Sequence, residues 1–192
     1  MIREVVLYPD RRLETPCGQV EEFGVPVLHR LVTDMVETMY FHEGVGLAAP
    51  QIGVMKQVVV IDLFSGRDPG RKIVLINPRI TGAQGTQRGE EGCLSFPGFV
   101  EHVTRSMGVV VDAKDPMGAA IHLQCDGLLS RALQHEIDHL NGILFIRHMS
   151  SLKRGLILRK IRKMLHADDW GSVRGSTESP RAAGNGFHRE QG

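Results

Sequence analysis

The chain has 192 residues, of which 42% are apolar and 23% charged, and its formal net charge is +1. These values are typical of a single globular domain with a sizeable core. The near-neutral charge and the aromatic content of 5% argue against DNA or an acidic membrane surface as the main partner. Three cysteines without a CxxC pair, no signal peptide and no apolar run long enough to cross a membrane together predict a cytoplasmic protein.

The first half of the chain predicts one helix and two strands. Residues 1–25 are punctuated by prolines and predict an irregular lead-in, and a helix with an apolar inner face is expected after Pro26. The segment 44–51, GVGLAAPQ, suits a sharply bent backbone, in which Gln51 is the only polar side chain. Strands are predicted at 58–63 and 73–80, with Pro78 indicating an edge position or a bulge in the second.

The second half predicts a β-hairpin followed by two helices. Strands at 103–113 and 119–125 flank a turn. A helix should then begin after Asp126 as N-cap and stop at Asn141-Gly142, and a last helix should run from Ser150 or Ser151 to about His166. Residues 167–192 lack periodicity and predict a flexible tail to a single domain of residues 1–166.

The helix after Asp126 carries the strongest chemical signal. His135 and His139 are four residues apart, so on a helix their imidazoles share one face and can bind one metal ion. Glu136, the residue after the first His, can act as a base toward a water molecule at that metal. Two histidines at this spacing can also simply be packed side chains, but the adjacent Glu favours a metal site.

Two imidazoles leave a metal half-coordinated, so a further protein ligand is needed. Phe145 stands where metzincin proteases have their third His, and no acid occurs between His139 and Asp168. The candidate is therefore upstream: Cys93 lies in a polar, glycine-flanked segment unlike that of a buried structural cysteine. A nucleophilic Cys–His pair is the alternative, but it leaves one of the two histidines unexplained.

Three segments together resemble the signature motifs of bacterial peptide deformylases. They are GVGLAAPQ at 44–51, EGCLS at 91–95 and QHEIDH at 134–139, in the expected order, and the resemblance covers about residues 1–165. It implies an α+β fold with antiparallel sheets around a central HExxH helix and with N- and C-terminal helices. The implied activity is removal of the formyl group from the N-terminal formylmethionine of new polypeptides. The implied cofactor is one Fe(II) per chain, which Zn(II), Ni(II) or Co(II) is able to replace.

The resemblance also implies roles for individual residues, matched motif by motif. The metal ligands would be Cys93, His135 and His139, with Glu136 as general base and then acid. The Gln51 amide and the Leu94 backbone N–H would bind the formyl oxygen. Val45 and Gly46 would line the substrate channel, and Leu128 and Ala132 the pocket for the Met side chain. Apart from the resemblance, we expect Glu91 and Arg105 to form a pair that steadies the Cys93 loop. One departure concerns residues 99–102, FVEH, where some family members have an Arg or Tyr that grips the substrate backbone.

Two other functions share part of this pattern. A zinc endopeptidase also uses HExxH, but the downstream third ligand is missing here. A non-catalytic metal-binding relative is the second alternative, against which the presence of Glu136 and Gln51 argues. Residues 150–192 carry nine Lys or Arg against four acids, which indicates a solvated face or a weak contact between the basic C-terminal helix and the ribosome.

Overall fold

The computed structural model describes residues 1–167, 169 and 170, which form three helices and seven strands. The helices are α1 (Pro26–Phe41), α2 (Gly127–Leu140) and α3 (Ser151–His166). The strands are β1 (Gly46–Ala48), β2 (Val58–Ile61), β3 (Ile73–Gln84), β4 (Gln87–Gly92), β5 (Val100–Arg105), β6 (Gly108–Lys114) and β7 (Ala120–Asp126).

The larger sheet lies between α1 and α2. Its five strands run in the order β1-β2-β3-β6-β7, with every neighbouring pair antiparallel. All four residues of β2 are buried, because the strand is covered on both faces. Val59 and Ile61 pack in one cluster with Leu133 and Ile137 of α2, while Val58 and Val60 pack in another with apolar residues of α1. Alternate residues of one strand thus fix the two helices on opposite faces.

The smaller sheet, β4 paired antiparallel with β5, belongs to a third hydrophobic cluster. That cluster joins Val103 of β5 to Phe96, Phe145 and two isoleucines of α3. The architecture is therefore the α+β fold that the sequence predicts. No helix within the described part of the chain is both long and apolar enough to cross a membrane.

The helix boundaries agree with the sequence signals. Pro26 begins α1, and Ser150 caps α3 by accepting a hydrogen bond from the Lys153 N–H at 3.3 Å. Asp126 is indeed the N-cap of α2, but its side chain makes no capping hydrogen bond. The bulge expected near Pro78 is present as a register shift between Ile76 and Arg79, although β3 is an interior strand and not an edge.

The strand predicted at 103–113 is wrong, because the structure divides it. Val103 belongs to β5 in the smaller sheet, while residues 108–114 form β6 in the larger one. The hairpin of β6 and β7 is confirmed, with the Asp115 N–H donating to the Ala119 carbonyl across the turn.

One residue of the predicted tail packs against the domain. Trp170 is buried, its indole N–H donates to the Tyr8 carbonyl, and its ring packs on Phe99 with centroids 5.7 Å apart. The domain boundary after residue 166 stays a prediction. Asp168 and residues 171–192 of the predicted tail lie outside the described residues.

Candidate metal centre

Helix α2 presents the histidines of the HExxH motif on its buried side. The helix forms because its apolar residues face the larger sheet, and Asn141 ends it. His135 and His139 project one turn apart, with ring centroids separated by 5.0 Å and planes inclined at 78°. Both rings are buried, so any ion they bind is held inside the protein.

Cys93 completes a cluster of three ligand atoms. It directly follows β4, which brings it to α2, and its Sγ lies 3.3 Å from the His139 Nε2. The ligand atoms of Cys93, His135 and His139 all lie within 4.8 Å of one another. A tetrahedral ion with ordinary metal–sulfur and metal–nitrogen bonds places its S and N ligands about 3.6 Å apart. The cluster therefore has the donors and the dimensions of a transition-metal site.

Glu136 lies beside this cluster with its carboxylate buried. Its Oε2 has no hydrogen-bond partner within the described part of the chain. Burial raises the pKa of Glu136 to about 7, the value suited to a group that takes and returns a proton near neutral pH. Gly46 of β1 makes room for it, since a Cβ at that position would lie only 2.5 Å from the Glu136 Oε1.

Gln51 points its amide nitrogen toward the cysteine. The residue is buried in the short 3₁₀ turn Ala49–Ile52, and its Oε1 accepts the Ala48 N–H at 2.9 Å. This bond fixes which end of the amide faces the centre. The Nε2 lies 3.5 Å from the Cys93 Sγ and 3.4 Å from the Ser95 Oγ, where it can donate to an oxygen atom entering the site.

Glu91 orients the first histidine of the motif. The predicted contact with Arg105 is present as a two-pronged ion pair of 2.9 and 3.0 Å, and the Glu91 Oε2 also lies 3.0 Å from the His135 Nδ1. Burial opposes its ionisation, but the hydrogen bonds with His135 and Arg105 lower the pKa of Glu91 to about 2. A carboxylate that accepts Nδ1–H leaves the Nε2 of His135 free for a metal.

The two histidines differ in their electrostatics. Burial lowers the pKa of His135, but hydrogen bonds with Cys93 and Glu91 outweigh burial and raise it well above its ordinary value. Burial, followed by the charge of His135, lowers the pKa of His139 well below its ordinary value. The two imidazoles are therefore not both positively charged, and the neutral ring of His139 can donate an electron pair.

A cavity of about 820 Å³ opens onto the centre. Val45 and Gly46 line it, as the resemblance implies. Leu128 and Ala132 are not among its lining residues: Leu128 is 59% exposed, and Ala132 packs in the core. Their assignment to the Met pocket stays a prediction. The site residues that the structure brings together at the inner end are Gln51, Cys93, Leu94, His135 and Glu136.

Sequence reasoning missed three residues around Arg105. The Arg105 Nη1 lies 2.5 Å from Asp138 and 3.1 Å from His148, and Asp138 and His148 also contact each other at 2.7 Å. The third is Arg131, which also contacts Glu91. The sequence could have indicated Asp138 and Arg131 as functional candidates, because each is a charged residue in a helix predicted to have a broad apolar face.

A buried HExxH helix beside a cysteine that directly follows an upstream strand, in a fold of antiparallel sheets, is typical of a metal-dependent hydrolase. Phe145, at the position of the third His of metzincins, packs with its ring 5.9 Å from the His135 ring and has no atom that could bind a metal, which argues against the metzincin alternative. Comparison with known proteins identifies the family within this class. The model of the polypeptide deformylase family matches residues 2–155, and the chain belongs to that family. Its members remove the N-formyl group from newly made polypeptides.

Named relatives match over nearly their whole length. The peptide deformylase of Acidobacterium capsulatum is 52% identical over 170 residues, which cover 88% of this chain and 99% of the relative. A crystal structure of a Legionella pneumophila peptide deformylase is 43% identical with a TM-score of 0.81, over 88% of this chain and 98% of that one. The Synechococcus elongatus enzyme in complex with actinonin is 40% identical with a TM-score of 0.78, over 82% of this chain and 86% of that one.

Proposed function

We propose that this chain hydrolyses the formyl group of N-formylmethionyl peptides at the centre formed by Cys93, His135 and His139. The observation that carries the proposal is the clustering of these three ligand atoms within 4.8 Å, beside a buried carboxylate and an amide donor. The three residues would hold one divalent ion, most favourably Fe(II), with Zn(II), Ni(II) or Co(II) able to replace it. When bound, the ion supplies a Lewis acid and makes water nucleophilic near neutral pH.

Glu136 handles the proton in this reaction. Its carboxylate accepts a proton from the attacking water and then gives that proton to the leaving amine of the Met residue. A pKa of about 7 suits both steps, because the carboxylate is then neither too weak a base nor too weak an acid. Its burial beside Gly46 also keeps the carboxylate from turning away to bulk solvent.

Gln51 and Leu94 stabilise the charge that forms on the formyl oxygen. The Gln51 Nε2 and the Leu94 backbone N–H would donate to this oxyanion, and one such donor contributes about 3 kcal/mol in comparable sites. Because the Gln51 Oε1 is already bonded to the Ala48 N–H, the donor is held in place before the substrate enters. Val45 and Gly46 would line the path of the peptide, with Leu128 and Ala132 near the Met side chain.

The experiment that tests this proposal is an assay of formate release. Anaerobically purified, Fe(II)-loaded protein is given formyl-Met-Ala-Ser, beside Glu136→Ala and beside a peptide that is blocked at its N-terminus by acetyl and has internal peptide bonds. We expect formate from the wild type, none from the variant with its metal still bound, and no internal cleavage. Release of new amines from the blocked peptide would support the endopeptidase alternative.

The basic helix α3 supports a further proposal about location and partners. It carries six Lys or Arg residues and packs in the same hydrophobic cluster as the smaller sheet. We place the protein in the cytoplasm, where this helix would make a weak, salt-dependent contact with the RNA of the ribosome that supplies the substrate. Cosedimentation with ribosomes that disappears at high salt, and that weakens when the lysines of α3 are changed to glutamine, tests the contact.

A further inference from the structure

Arg131 lies one helical turn before His135, on the same face of α2. Its side chain is buried, with only 7% exposed, and it crosses from the helix to the smaller sheet. The Nη1 donates to the Glu91 Oε1 at 2.7 Å, to the Val103 carbonyl at 3.0 Å and to the Gly89 carbonyl at 3.2 Å. One nitrogen atom thus connects the helix that carries two metal ligands to both strands of the hairpin that carries the third.

Gly89 makes this position of the guanidinium group attainable. A Cβ built on Gly89 would lie 3.3 Å from the Nη2, 3.4 Å from the Cζ and 3.4 Å from the Nε of Arg131. Three nearly equal distances mean that the flat guanidinium lies face-on over the place where a side chain would begin. Since Gly89 has no positive backbone φ, its lack of a side chain is needed here for space and not for conformation.

The contact is costly if its only role is packing. The Nη2 of Arg131 is buried and has no hydrogen-bond partner within the described part of the chain. An apolar side chain of similar length would fill the same space without that unpaired group. A buried guanidinium group with an unpaired nitrogen atom points to a functional constraint at Arg131.

We propose that Arg131 is a positioning residue of the metal centre. In this proposal Gly89 leaves the space that the Arg131 guanidinium occupies. The proposal rests on the proposed function, because it takes His135 as a metal ligand. Arg131 donates a hydrogen bond to the Glu91 Oε1 and so holds the Glu91 Oε2 at 3.0 Å from the His135 Nδ1. This contact in turn keeps the His135 Nε2 directed at Cys93 and His139. Arg105 holds Glu91 from the opposite strand of the same hairpin, whereas Arg131 holds it from the helix of His135 itself.

Metal affinity separates this role from a merely structural one. We would measure the dissociation constant for Co(II) by chelator competition, together with the visible absorption bands that report thiolate and imidazole coordination. The variants are Arg131→Met, which keeps length and loses charge, and Gly89→Ala, which displaces the guanidinium without removing it. Arg88→Met is the matched control, because Arg88 is an exposed residue on the same strand.

We expect Arg131→Met and Gly89→Ala to weaken Co(II) binding roughly 10- to 100-fold, the usual effect of removing a group that supports a ligating histidine. The double variant should be no weaker than the worse single variant, because both changes remove one contact. The control should bind as the wild type does. Rate measurements at saturating metal should show a smaller loss than the binding constants, because the ligands themselves remain.

Two results would overturn the proposal. One is a Co(II) dissociation constant of Arg131→Met within threefold of the wild type, even with a lowered melting temperature, which would make Arg131 a packing residue. The other is full additivity of the two substitutions, which would mean that Gly89 and Arg131 act separately. If the wild type itself binds Co(II) without a thiolate band and releases no formate, the ligand assignment fails instead, and that outcome is distinguishable from the first two.

Discussion

Replacement of Gly46 by alanine tests how closely the active centre is built around Glu136. A Cβ at this position would lie 2.5 Å from the Glu136 Oε1, 2.9 Å from the Cδ and 3.0 Å from the Cγ. An ordinary contact begins at 3.4 Å, so the carboxylate oxygen must retreat by 0.9 Å, the difference between those distances. Packing resists this retreat, because Glu136 is only 6% exposed, and the cavity that it lines is the open side.

A displacement of the Glu136 carboxylate by this distance should lower the rate of the reaction. Moving a catalytic group by about 1 Å can cost roughly 100-fold in rate, and a factor of 100 corresponds to about 2.7 kcal/mol in the barrier. Overpacking should also lower the free energy of unfolding by about 1–3 kcal/mol. We therefore expect Gly46→Ala to remain folded at 25 °C and to release formate from formyl-Met-Ala-Ser with a kcat about 100-fold below that of the wild type.

Gly44→Ala is the matched control in the same segment. The new methyl group would meet the tip of the Leu94 side chain at 3.2 Å, a contact that a flexible side chain can relieve by a small rotation. We expect its kcat to stay within a few-fold of the wild type. A Gly46→Ala enzyme with a kcat within threefold of the wild type would refute the reasoning, because Glu136 would then have to work equally well from a displaced position.

The remaining predictions concern the metal ion, the buried carboxylate of Glu91 and the phenol group of Tyr40, a residue of α1. Chelation should abolish formate release and lower the melting temperature, and anaerobic Fe(II) should restore both. Glu91→Gln should cost about 3–5 kcal/mol in urea unfolding, because it removes the buried carboxylate that pairs with Arg131 and leaves Arg105 with Asp138 alone. Since the pKa of Glu91 is lowered from 4.5 to about 2, its contribution is present above pH 4.5 and is lost as the pH falls toward 2, so the variant should show a shallower acid limb. Burial, then the hydrogen bond to Asp62, raises the pKa of Tyr40 from 10.0 to about 12, so the stability it contributes is lost between those pH values, and Tyr40→Phe should flatten that alkaline loss. An unchanged acid or alkaline limb would count against the corresponding assignment.

The parts of the fold that sequence predicts are those set by neighbouring residues. Pro26 and Ser150 mark helix starts because their effects act within one turn, and the spacing of His135 and His139 fixes their common face without any knowledge of the fold. The absence of a downstream third ligand directed the prediction upstream to Cys93, and the family motifs then matched it; Cys93 lies 42 residues before His135 in the chain and beside it in space.

The wrong strand at 103–113 shows where such local information ends. Val103 and the apolar run 109–111 favour one continuous strand, although Ser106 and Gly108 between them are residue types that often form turns. The break is imposed by α2: the Gln134 side chain accepts the Ser106 N–H and donates to the Ser106 carbonyl, both at 3.0 Å. A side chain 28 residues away thus satisfies the backbone groups that would otherwise continue the ladder.

The same helix therefore does two things that its motif alone does not indicate. Gln134 separates the two sheets at Ser106, and that separation allows the β4–β5 hairpin to lie against α2 as an independent unit. Arg131 and Glu91 then fix the hairpin on the helix, so that Cys93 arrives at the two histidines. Because the ligands come from two units joined by few buried polar contacts, the precision of the metal site depends on those contacts as much as on the ligands.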